Sequence, residues 1–390
     1  MAEKSKKQKK RVLVVGDLML DLTWTVGSRA DSASTSSQSH GGVSPYFRNF
    51  PTAVDFRPGG AGLAALAMTL SDDIEVHLLS AHVGAQELDA FRACGFRRAG
   101  RESTDDARIV WHCLDWKTPS TPVTTIKWRF NSLDKLPEKR PFFFLRIDQD
   151  PPPETEIFCE LPSSLGENYD AILLMDFAKN TISEKLMDNL AQRFQKAFFG
   201  VDSKRPKVLK HMIKRNLDNM FGFLNRNEAE SYFKELSGSN SIRLRSAEDA
   251  SKVFSKHKSH FATNGLVIKL DQQGAVAFRA NADSIDSSHG ETERFGDGAS
   301  IGAGDFYAAG FITEFLTNEQ ATLATANHGA MIYAYRWIKY CDFEFWDPKN
   351  ENYKDSDGTV LRELPWPQDR KMLDIEIPES ITVDLKQFEV

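Results

Sequence analysis

Short runs of consecutive apolar residues alternate along this chain with segments whose apolar positions follow the period of a helix. The first run, at 12–15, ends in Gly16 and Asp17, as a buried parallel strand does when it opens into a loop. Similar runs predict buried strands at 76–79, 171–175, 197–201, 220–224, 266–270 and 275–278. Helical spacing predicts helices at 63–70, 183–194, 306–316 and 322–340. This alternation predicts an α/β fold with a mainly parallel sheet that is covered by helices on both faces.

Other segments lack this pattern and frame the predicted domain. Residues 1–10 are basic without an apolar run, which indicates a solvated, disordered tail. Residues 28–44 are rich in Ser, Gly and Asp, which is typical of a flexible loop. Further strands are predicted at 123–130 and 141–147. Residues 342–390 are rich in proline and charge and form a predicted C-terminal extension, so the domain itself spans 11–341.

Composition narrows the classes of protein that the chain can represent. Of its 390 residues 41% are hydrophobic, which is ample for a large core, and no apolar run approaches the roughly 18 residues of a membrane span. The net charge of −6 disfavours a general binder of nucleic acids. Four cysteines without zinc-site or disulfide spacing predict a reducing, cytoplasmic location. His257 and His260 have metal-ligand spacing, but their lysine-rich surroundings favour a solvated surface.

The stretch Gly302-Ala303-Gly304-Asp305, just before an apolar helix, carries the clearest chemical signal. Two glycines around a small residue let the backbone approach a ligand closely, with N–H groups turned towards it. A helix N-terminus carries partial positive charge, so the same amides favour a phosphate. An anion hole beside a carboxylate base is the minimum needed to transfer a phosphoryl group to a hydroxyl. Taken alone, the motif is more often just a tight turn that has an acidic cap.

Five motifs, taken in order, resemble those of the ribokinase-like (PfkB-type) carbohydrate kinases. They are Val-Leu-Val-Val-Gly-Asp-Leu-Met-Leu-Asp at 12–21, Arg-Pro-Gly-Gly-Ala at 57–61, Leu-Leu-Met-Asp-Phe-Ala-Lys at 173–179, Asn-x-x-Glu at 225–228 and Gly-Ala-Gly-Asp at 302–305. Chance matches would not keep this order. The resemblance is greatest to the heptose-phosphate kinase branch. It implies a ribokinase-like α/β fold with a small β lid at about 22–57 and 108–148.

The resemblance also implies roles for the matching residues. Asp305 would be the general base, and the amides of Gly302, Ala303 and Gly304 would form the anion hole. The candidate substrate-binding residues are Asp17, Asp21, Gly59, Gly60, Lys127, Arg129 and Asp148. Two of them, Lys127 and Arg129, would meet a phosphate that the sugar already carries. The candidate ATP-binding residues are Lys179, Asp202, Lys204, Asn225, Lys269 and Gly274. Glu228 with Asn225 would organise Mg²⁺.

Several of these residues also have a simpler interpretation. An aspartate at a strand end, such as Asp17, often caps a loop. Asn225 and Glu228 have the spacing of a helix start, with an N-cap and an acid at the third position, and this is compatible with a metal role. The charged lid residues would otherwise protect an edge strand. Lys179 and Lys204 would otherwise be ordinary solvated lysines.

Upstream of the base, the chain departs from the family pattern. The family usually has Asp-(Thr/Val)-Thr before Gly-Ala-Gly-Asp, and here those positions are Ala299, Ser300 and Ile301. The missing aspartate makes a monovalent-cation site doubtful, although Asp297 is close in sequence.

Three further departures concern single positions. Phe306 replaces the small polar residue that usually follows the base, and Leu63 replaces the asparagine of Gly-Gly-x-x-Asn. The family's Thr-x-Gly becomes Lys269-Leu270-Asp271, in which the lysine can donate to a phosphate and the aspartate would repel it.

Three functions are compatible with these features. The first is an ATP- and Mg²⁺-dependent kinase that phosphorylates a hydroxyl of a sugar or of a heptose-phosphate-like sugar phosphate. The second is a catalytically weakened sugar- or nucleotide-binding regulatory protein, which Ala299, Ile301 and Asp271 favour. The third is a nucleoside kinase, which Lys127 and Arg129 disfavour because a nucleoside has no phosphate for them to bind. We expect ATP and a sugar as partners, with neither nucleic acid nor membrane, and a homodimer through the lid.

Overall fold

The structure is a computed structural model. It describes residues 8–26, 29–30, 46–47, 53–99, 108–118, 122–132, 142–215, 217, 219–261, 264–280, 285–290 and 302–340. Predictions that lie outside these residues are the basic tail up to residue 7, most of the loop at 28–44, the departures at Ala299, Ser300 and Ile301, the neighbouring Asp297, and the extension at 342–390.

The strands of the described part alternate with helices over most of its length. The strands are β1 (Lys10–Gly16), β2 (Leu18–Val26), β3 (Arg29–Ala30), β4 (Tyr46–Phe47), β5 (Ala53–Gly60), β6 (Ile74–Ala81), β7 (Phe96–Arg98), β8 (Ile109–Leu114), β9 (Trp116–Thr118), β10 (Thr125–Ser132), β11 (Phe142–Gln149), β12 (Glu156–Ile157), β13 (Ala171–Asp176), β14 (Phe198–Ser203), β15 (Met220–Asn225), β16 (Gly265–Lys269), β17 (Ala275–Ala280) and β18 (Ile285–Gly290). The helices are α1 (Ala61–Met68), α2 (Ala85–Ala93), α3 (Glu184–Arg193), α4 (Pro206–Lys214), α5 (Arg226–Ser237), α6 (Ala247–Phe261), α7 (Ala303–Thr317) and α8 (Leu323–Tyr340). Each predicted strand and helix overlaps an observed one.

A large sheet with the order β18-β17-β16-β15-β14-β13-β1-β6-β8-β7 runs through the domain. Its strands from β16 to β7 pair in parallel, and β17 and β18 extend one edge in antiparallel fashion. Parallel strands bring their carboxyl ends to one edge of a sheet, where α/β proteins bind ligands. The loops after β1, β13, β14, β15 and β16 therefore meet at a single edge.

Separate apolar cores cover the two faces of this sheet. One core joins the sheet to α1, α7 and α8 and includes Phe306, Phe311 and Trp337. The other joins it to α3–α6 and includes Phe233 and Phe254. The predicted α/β fold with helices on both faces is confirmed. Within the described residues, no helix combines the length and apolarity that crossing a membrane would require.

A second sheet with the order β11-β10-β2-β5 forms the predicted lid. The chain passes from β1 of the large sheet into β2 of the lid through the single residue Asp17. The predicted lid boundaries are wrong at two points. The lid begins at Leu18, because β2 pairs with β5 from Leu18 to Thr25. Residues of β8 belong instead to the large sheet, because β8 pairs with β6 and buries Ile109 and Trp111 in the core beneath α1.

Candidate active site

A tight turn at Gly302 presents the N-terminus of α7. Gly302 has the left-handed φ of +92° and caps the helix. A Cβ at this position would lie 2.5 Å from Cδ2 of Leu63 and 2.9 Å from Nε1 of Trp337, so only glycine fits. The N–H of Asp305 donates to the carbonyl oxygen of Gly302 at 3.0 Å. The preceding amides, of Ala303 and Gly304, have no partner within the helix by position, which makes this end of α7 suitable for an anion.

Asp305 lies in the first turn of α7 and opens onto the carboxyl edge of the large sheet. Burial, and then repulsion by Asp202, raise the pKa of Asp305 to about 7, against the opposing effects of Lys269 and Lys127. A carboxyl group with a pKa near neutrality exchanges protons readily at physiological pH. This is the property that a general base needs.

Lys269 at the end of β16 is held among three carboxylates. Its Nζ is 2.5 Å from Oδ2 of Asp202 and would lie 3.3 Å from a Cβ on Gly304. Burial disfavours the charged ammonium, but attraction to Asp202, Glu228 and Asp305 outweighs it and raises the pKa of Lys269. The side chain therefore keeps its positive charge beside the amides of the turn.

Asn225 and Glu228 form the start of α5, as the simpler interpretation predicts. The Asn225 side chain accepts from the Glu228 N–H at 2.9 Å, and the Glu228 carboxylate accepts from the Asn225 N–H at 2.7 Å. Burial and the nearby Asp202 raise the pKa of Glu228. The capping bond uses one of the two carboxylate oxygens of Glu228.

These residues are compatible with Mg²⁺ that arrives bound to a nucleotide. Oxygen ligands are what Mg²⁺ prefers, and a cation near Glu228 and Asp202 would relieve their mutual repulsion. Among the residues that the structure describes, no group of three or more His, Cys, Asp or Glu side chains is arranged to hold a metal by itself. The fit is therefore to an ion that keeps most of its contacts with water and phosphate.

Asp271, the predicted repulsive neighbour of a polyphosphate, is turned towards a cation. Its Oδ2 lies 3.5 Å from Nε of Arg226, and Nη2 of the same arginine donates to the carbonyl oxygen of Leu270 at 2.8 Å. Gly274 closes this turn with a φ of +80°. The turn between β16 and β17 thus carries a partly neutralised acid beside the nucleotide candidates.

On the lid, Asp21 is buried at the point where three strands pair. Lys127 of β10 is its register neighbour on one side and Arg57 of β5 on the other. Nη2 of Arg129 lies 3.6 Å from Oδ1 of Asp21, and that oxygen has no hydrogen-bond partner among the described residues. A Cβ on Gly59 would lie 3.1 Å from Oδ2 of Asp21, so the glycine leaves space beside the carboxylate. Asp21 is therefore available to accept a hydroxyl hydrogen bond.

Cations outnumber Asp21 in this part of the site. The Nζ atoms of Lys127 and Lys204 lie 5.5 Å and 5.0 Å from the centre of the same Phe177 ring. Burial lowers the pKa of Lys127, Asp21 opposes this effect, and Lys204, Arg146 and Arg129 reinforce it. An anionic group bound here would relieve the repulsion among the cations.

The candidates Asp17, Lys179 and Asp148 have protein partners. Oδ2 of Asp17 accepts from the N–H groups of Phe177 and Lys179 at 2.7 Å and 3.1 Å, and Oδ1 accepts from Thr181 at 3.1 Å. Asp17 thus fixes the loop after β13, as the loop-cap interpretation predicts, and its predicted sugar contact remains a prediction.

Lys179 and Asp148 are paired with neighbours of opposite charge. Lys179 forms an ion pair with Asp150, and Asp148 accepts from Nε of Arg146 at 2.6 Å. Neither pair lies among the carboxylates around Lys269. The predicted ATP contact of Lys179 and the predicted substrate contact of Asp148 remain predictions.

Two residues of the site region carried little signal in the sequence. Arg57 opens the Arg-Pro-Gly-Gly motif but matched no predicted role. Its guanidinium carbon lies 5.1 Å from the centre of the Trp337 ring. Trp337 lies in α8, far along the chain from every motif, and reaches the site only because α8 packs along α7.

Comparisons with known proteins agree with this fold. No family model matches the chain. The bifunctional protein HldE of Shewanella sediminis (strain HAW-EB3) is 26% identical over 282 residues, which cover 71% of this chain and 50% of that protein. The chain thus spans half the length of this curated relative.

Solved carbohydrate kinases share the fold at low sequence identity. The ribokinase of Cryptococcus neoformans var. grubii serotype A in complex with ADP is 14% identical with a TM-score of 0.52, and the match covers 85% of this chain and 94% of that one. A carbohydrate kinase from Agrobacterium tumefaciens is 16% identical with a TM-score of 0.52, and the match covers 86% of this chain and 92% of that one. Phosphofructokinase-2 from Escherichia coli is 13% identical with a TM-score of 0.53, and the match covers 85% of this chain and 94% of that one. The chain has the ribokinase-like fold, and the predicted resemblance to these kinases is confirmed.

Proposed function

We propose that this protein is an ATP-dependent carbohydrate kinase of the cytoplasm, which phosphorylates a hydroxyl of a sugar phosphate. The observation that carries the proposal is Asp305, a carboxyl group with a pKa of about 7 in the first turn of α7. Its pKa is influenced by Asp202 and Lys269 of the large sheet and by Lys127 and Asp21 of the lid, so charged groups of both sheets act on this carboxyl group.

In the proposed reaction, a substrate hydroxyl oxygen attacks the γ-phosphorus of ATP. The new O–P bond forms as the bond from the γ-phosphorus to the β–γ bridging oxygen breaks, and ADP leaves. Asp305 takes the hydroxyl proton. The amides of Ala303 and Gly304, together with the Lys269 ammonium, stabilise the charge on the transferring group.

The nucleotide lies on the side of β14, β15 and β16. Asp202 holds Lys269 in place through their 2.5 Å contact, so the ammonium is oriented before ATP binds. Glu228 and Asp202 are the residues that would face Mg²⁺, which would neutralise phosphate charge when bound. The turn that contains Gly274 lies beside them.

The acceptor lies on the lid side. Asp21 accepts a hydrogen bond from a sugar hydroxyl, and Gly59 leaves room for the ring. The cations Lys127, Arg129 and Lys204 outnumber this one carboxylate, which supports an acceptor that already carries a phosphate. A neutral sugar or nucleoside would leave their repulsion in place.

Turnover with a panel of acceptors tests the proposed function. ADP formation from MgATP is measured with neutral sugars, nucleosides and sugar phosphates that include heptose 7-phosphates. We expect turnover with at least one sugar phosphate. Thermal stabilisation by ATP and an acceptor without ADP formation would instead support the regulatory-protein alternative, and turnover confined to nucleosides would support the third function.

Substitution of Lys127 tests the preference for a phosphorylated acceptor. Losing one charge-assisted contact costs about 1.5–3 kcal/mol, so Lys127→Met should raise the KM for a sugar phosphate about 10- to 100-fold. The KM for the matching neutral sugar should change little. Lys117→Met, which removes a surface lysine paired with Glu156 on β12, is the control. An equal change for both acceptors would contradict a phosphate-binding role for Lys127.

A further inference from the structure

Leu63 and Phe306, two residues that depart from the family pattern at single positions, both lie close to the side chain of Trp337. The Phe306 ring stacks on the Trp337 ring with centres 4.4 Å apart and planes 24° from parallel. Leu63 and Trp337 are the two side chains that a Cβ on Gly302 would strike. All three side chains are nearly or fully buried. They form an apolar pad, made of Leu63, Phe306 and Trp337, directly behind the anion-hole turn.

This pad supports the turn by packing. The indole of Trp337 lies against Gly302, the N-cap of α7, and against Phe306, which directly follows Asp305. It therefore contacts the residues that flank the anion-hole amides and the base. A shift of the ring would move both, since close-packed interiors transmit displacement.

Arg57 joins the pad to the lid. It lies on β5 opposite Asp21 of β2, and its guanidinium lies over the face of Trp337. Both side chains are buried, with Arg57 7% and Trp337 2% exposed, which strengthens a cation–π contact. Arg57 thus neighbours Asp21, the proposed substrate-binding aspartate, and also contacts Trp337, which packs behind the anion-hole turn.

We propose that Trp337 is a positioning residue that holds the anion hole and the base in register, and that Arg57 couples it to the lid. This inference rests on the proposed function. Substrate contact at Asp21 is transmitted through Arg57 to Trp337, and from there to Gly302 and Phe306. The chain uses apolar and cation–π contacts at this place, where its resemblance leads us to expect polar residues.

Kinetic measurements on three variants test the coupling. We expect Trp337→Phe to lower kcat at least 10-fold while the Kd for MgATP changes less than threefold, because a misplaced anion hole weakens the transition state more than ground-state binding. Arg57→Met should lower kcat and raise the acceptor KM. The double variant should lose less than the product of the two single losses, because both act through one contact.

A matched control separates positioning from ordinary core packing. Trp111 is also a buried indole, with Nε1 donating to Oγ of Ser80 at 2.8 Å, and it lies on β8 away from the site. Trp111→Phe should lower thermal stability yet keep kcat within twofold. Unchanged kcat in Trp337→Phe, an equal loss in Trp111→Phe, or strictly multiplicative losses in the double variant would overturn the inference.

Tryptophan emission gives a readout that does not depend on turnover. MgATP should change the emission of the intact protein and of Trp111→Phe, and the change should disappear in Trp337→Phe. MgATP binding by calorimetry without this emission change would overturn the inference alone. The emission change without phosphoryl transfer to any acceptor would overturn the proposed function alone, and absence of MgATP binding would overturn both.

Discussion

Two buried clusters of ionisable side chains invite comparison, one around Asp305 and one around His77 and His112. In the histidine cluster, Glu75 Oε1 lies 2.7 Å from His77 Nε2, and His77 Nδ1 lies 2.9 Å from His112 Nε2. His112 Nδ1 in turn lies 2.9 Å from Oγ of Ser164. Both rings are therefore hydrogen-bonded at both nitrogens.

The direction of the hydrogen bonds in this chain follows from its acidic end. The ionised Glu75 can only accept, so His77 donates from Nε2 and accepts at Nδ1, and His112 then donates from Nε2. Ser164 completes the series by donating to His112. Arg11, whose Nη2 is 3.3 Å from His77 Nε2, acts instead on Glu75 through its Nε at 3.3 Å.

The cluster around Asp305 differs, because its carboxylates share one cation. Lys269 is the cation shared by Asp202, Glu228 and Asp305, and burial, followed by repulsion from Asp202, raises the pKa values of Glu228 and Asp305. A cluster whose members are all paired stabilises the fold. A cluster with more buried carboxylates than cations carries uncompensated negative charge, which a bound metal ion or the donor groups of a ligand can compensate.

Apart from substitution of Asp305 itself, the largest expected effect concerns Lys269. Lys269→Met should reduce kcat about 10²- to 10³-fold, because it removes a preorganised charge at the anion hole. It should also move the acid limb of the pH–rate profile to higher pH, because Lys269 is one of the groups that hold the pKa of Asp305 down. Lys256→Met, at an exposed position of α6, is the control. An unmoved acid limb would show that the two charges do not interact.

The histidine cluster should make folding sensitive to acid. Burial lowers the pKa of His112 to about 4, with further lowering by His77 and Arg11. The unfolded chain binds a proton near pH 6.5, so the contribution is complete above that pH and is lost as pH falls towards 4. The expected loss is about 3 kcal/mol in the free energy of unfolding. Urea unfolding at several pH values measures it.

His112→Gln provides the comparison for this pH dependence. Its stability should vary less between pH 7 and pH 4 than that of the parent protein. Parallel curves for the two proteins would remove His112 as the source. Asp305 should change stability with pH in the opposite direction. Because its pKa is raised, the folded form holds a proton that the unfolded form releases between pH 3.8 and 7, so this contribution to stability is lost as pH rises.

The smallest expected effect separates two aspartates four residues apart. Asp17→Asn should cost about 1–3 kcal/mol of stability, because it disturbs the three backbone N–H groups that Asp17 satisfies. The acceptor KM of the folded protein should change little. Asp21→Asn should instead raise the acceptor KM, in addition to any stability that is lost because the buried Arg129 loses its charged neighbour. An acceptor KM raised equally by both substitutions would contradict the division of roles.

The sequence predicted the fold and the place of the candidate site in the chain, because local patterns determine both. Apolar runs and helical spacing locate the strands and helices, and glycine with aspartate before a helix marks the proposed anion hole and base. The roles of Asp17 and Asp21 could not be separated, because both follow the first strand. What separates them is a loop about 160 residues away, whose amides bind Asp17.

Other features depend on strand order, which the patterns do not contain. His77 and His112 are 35 residues apart and meet only because β6 and β8 are neighbours in the large sheet. Arg57 and Trp337 meet because the lid strand β5 approaches α8. No spacing rule connects residues so distant in the chain.

The role of Asp305 is tested most directly by one substitution with two readouts. Asp305→Asn should lower kcat with MgATP and a sugar-phosphate acceptor about 10²- to 10⁴-fold, because the base is lost. At pH 8 the same change should raise the free energy of unfolding by about 1–2 kcal/mol, because it removes a negative charge that burial and Asp202 disfavour. Partial contact of this position with solvent limits the gain. Turnover equal to that of the parent protein would contradict the account, as would a loss of turnover that is matched by a loss of stability.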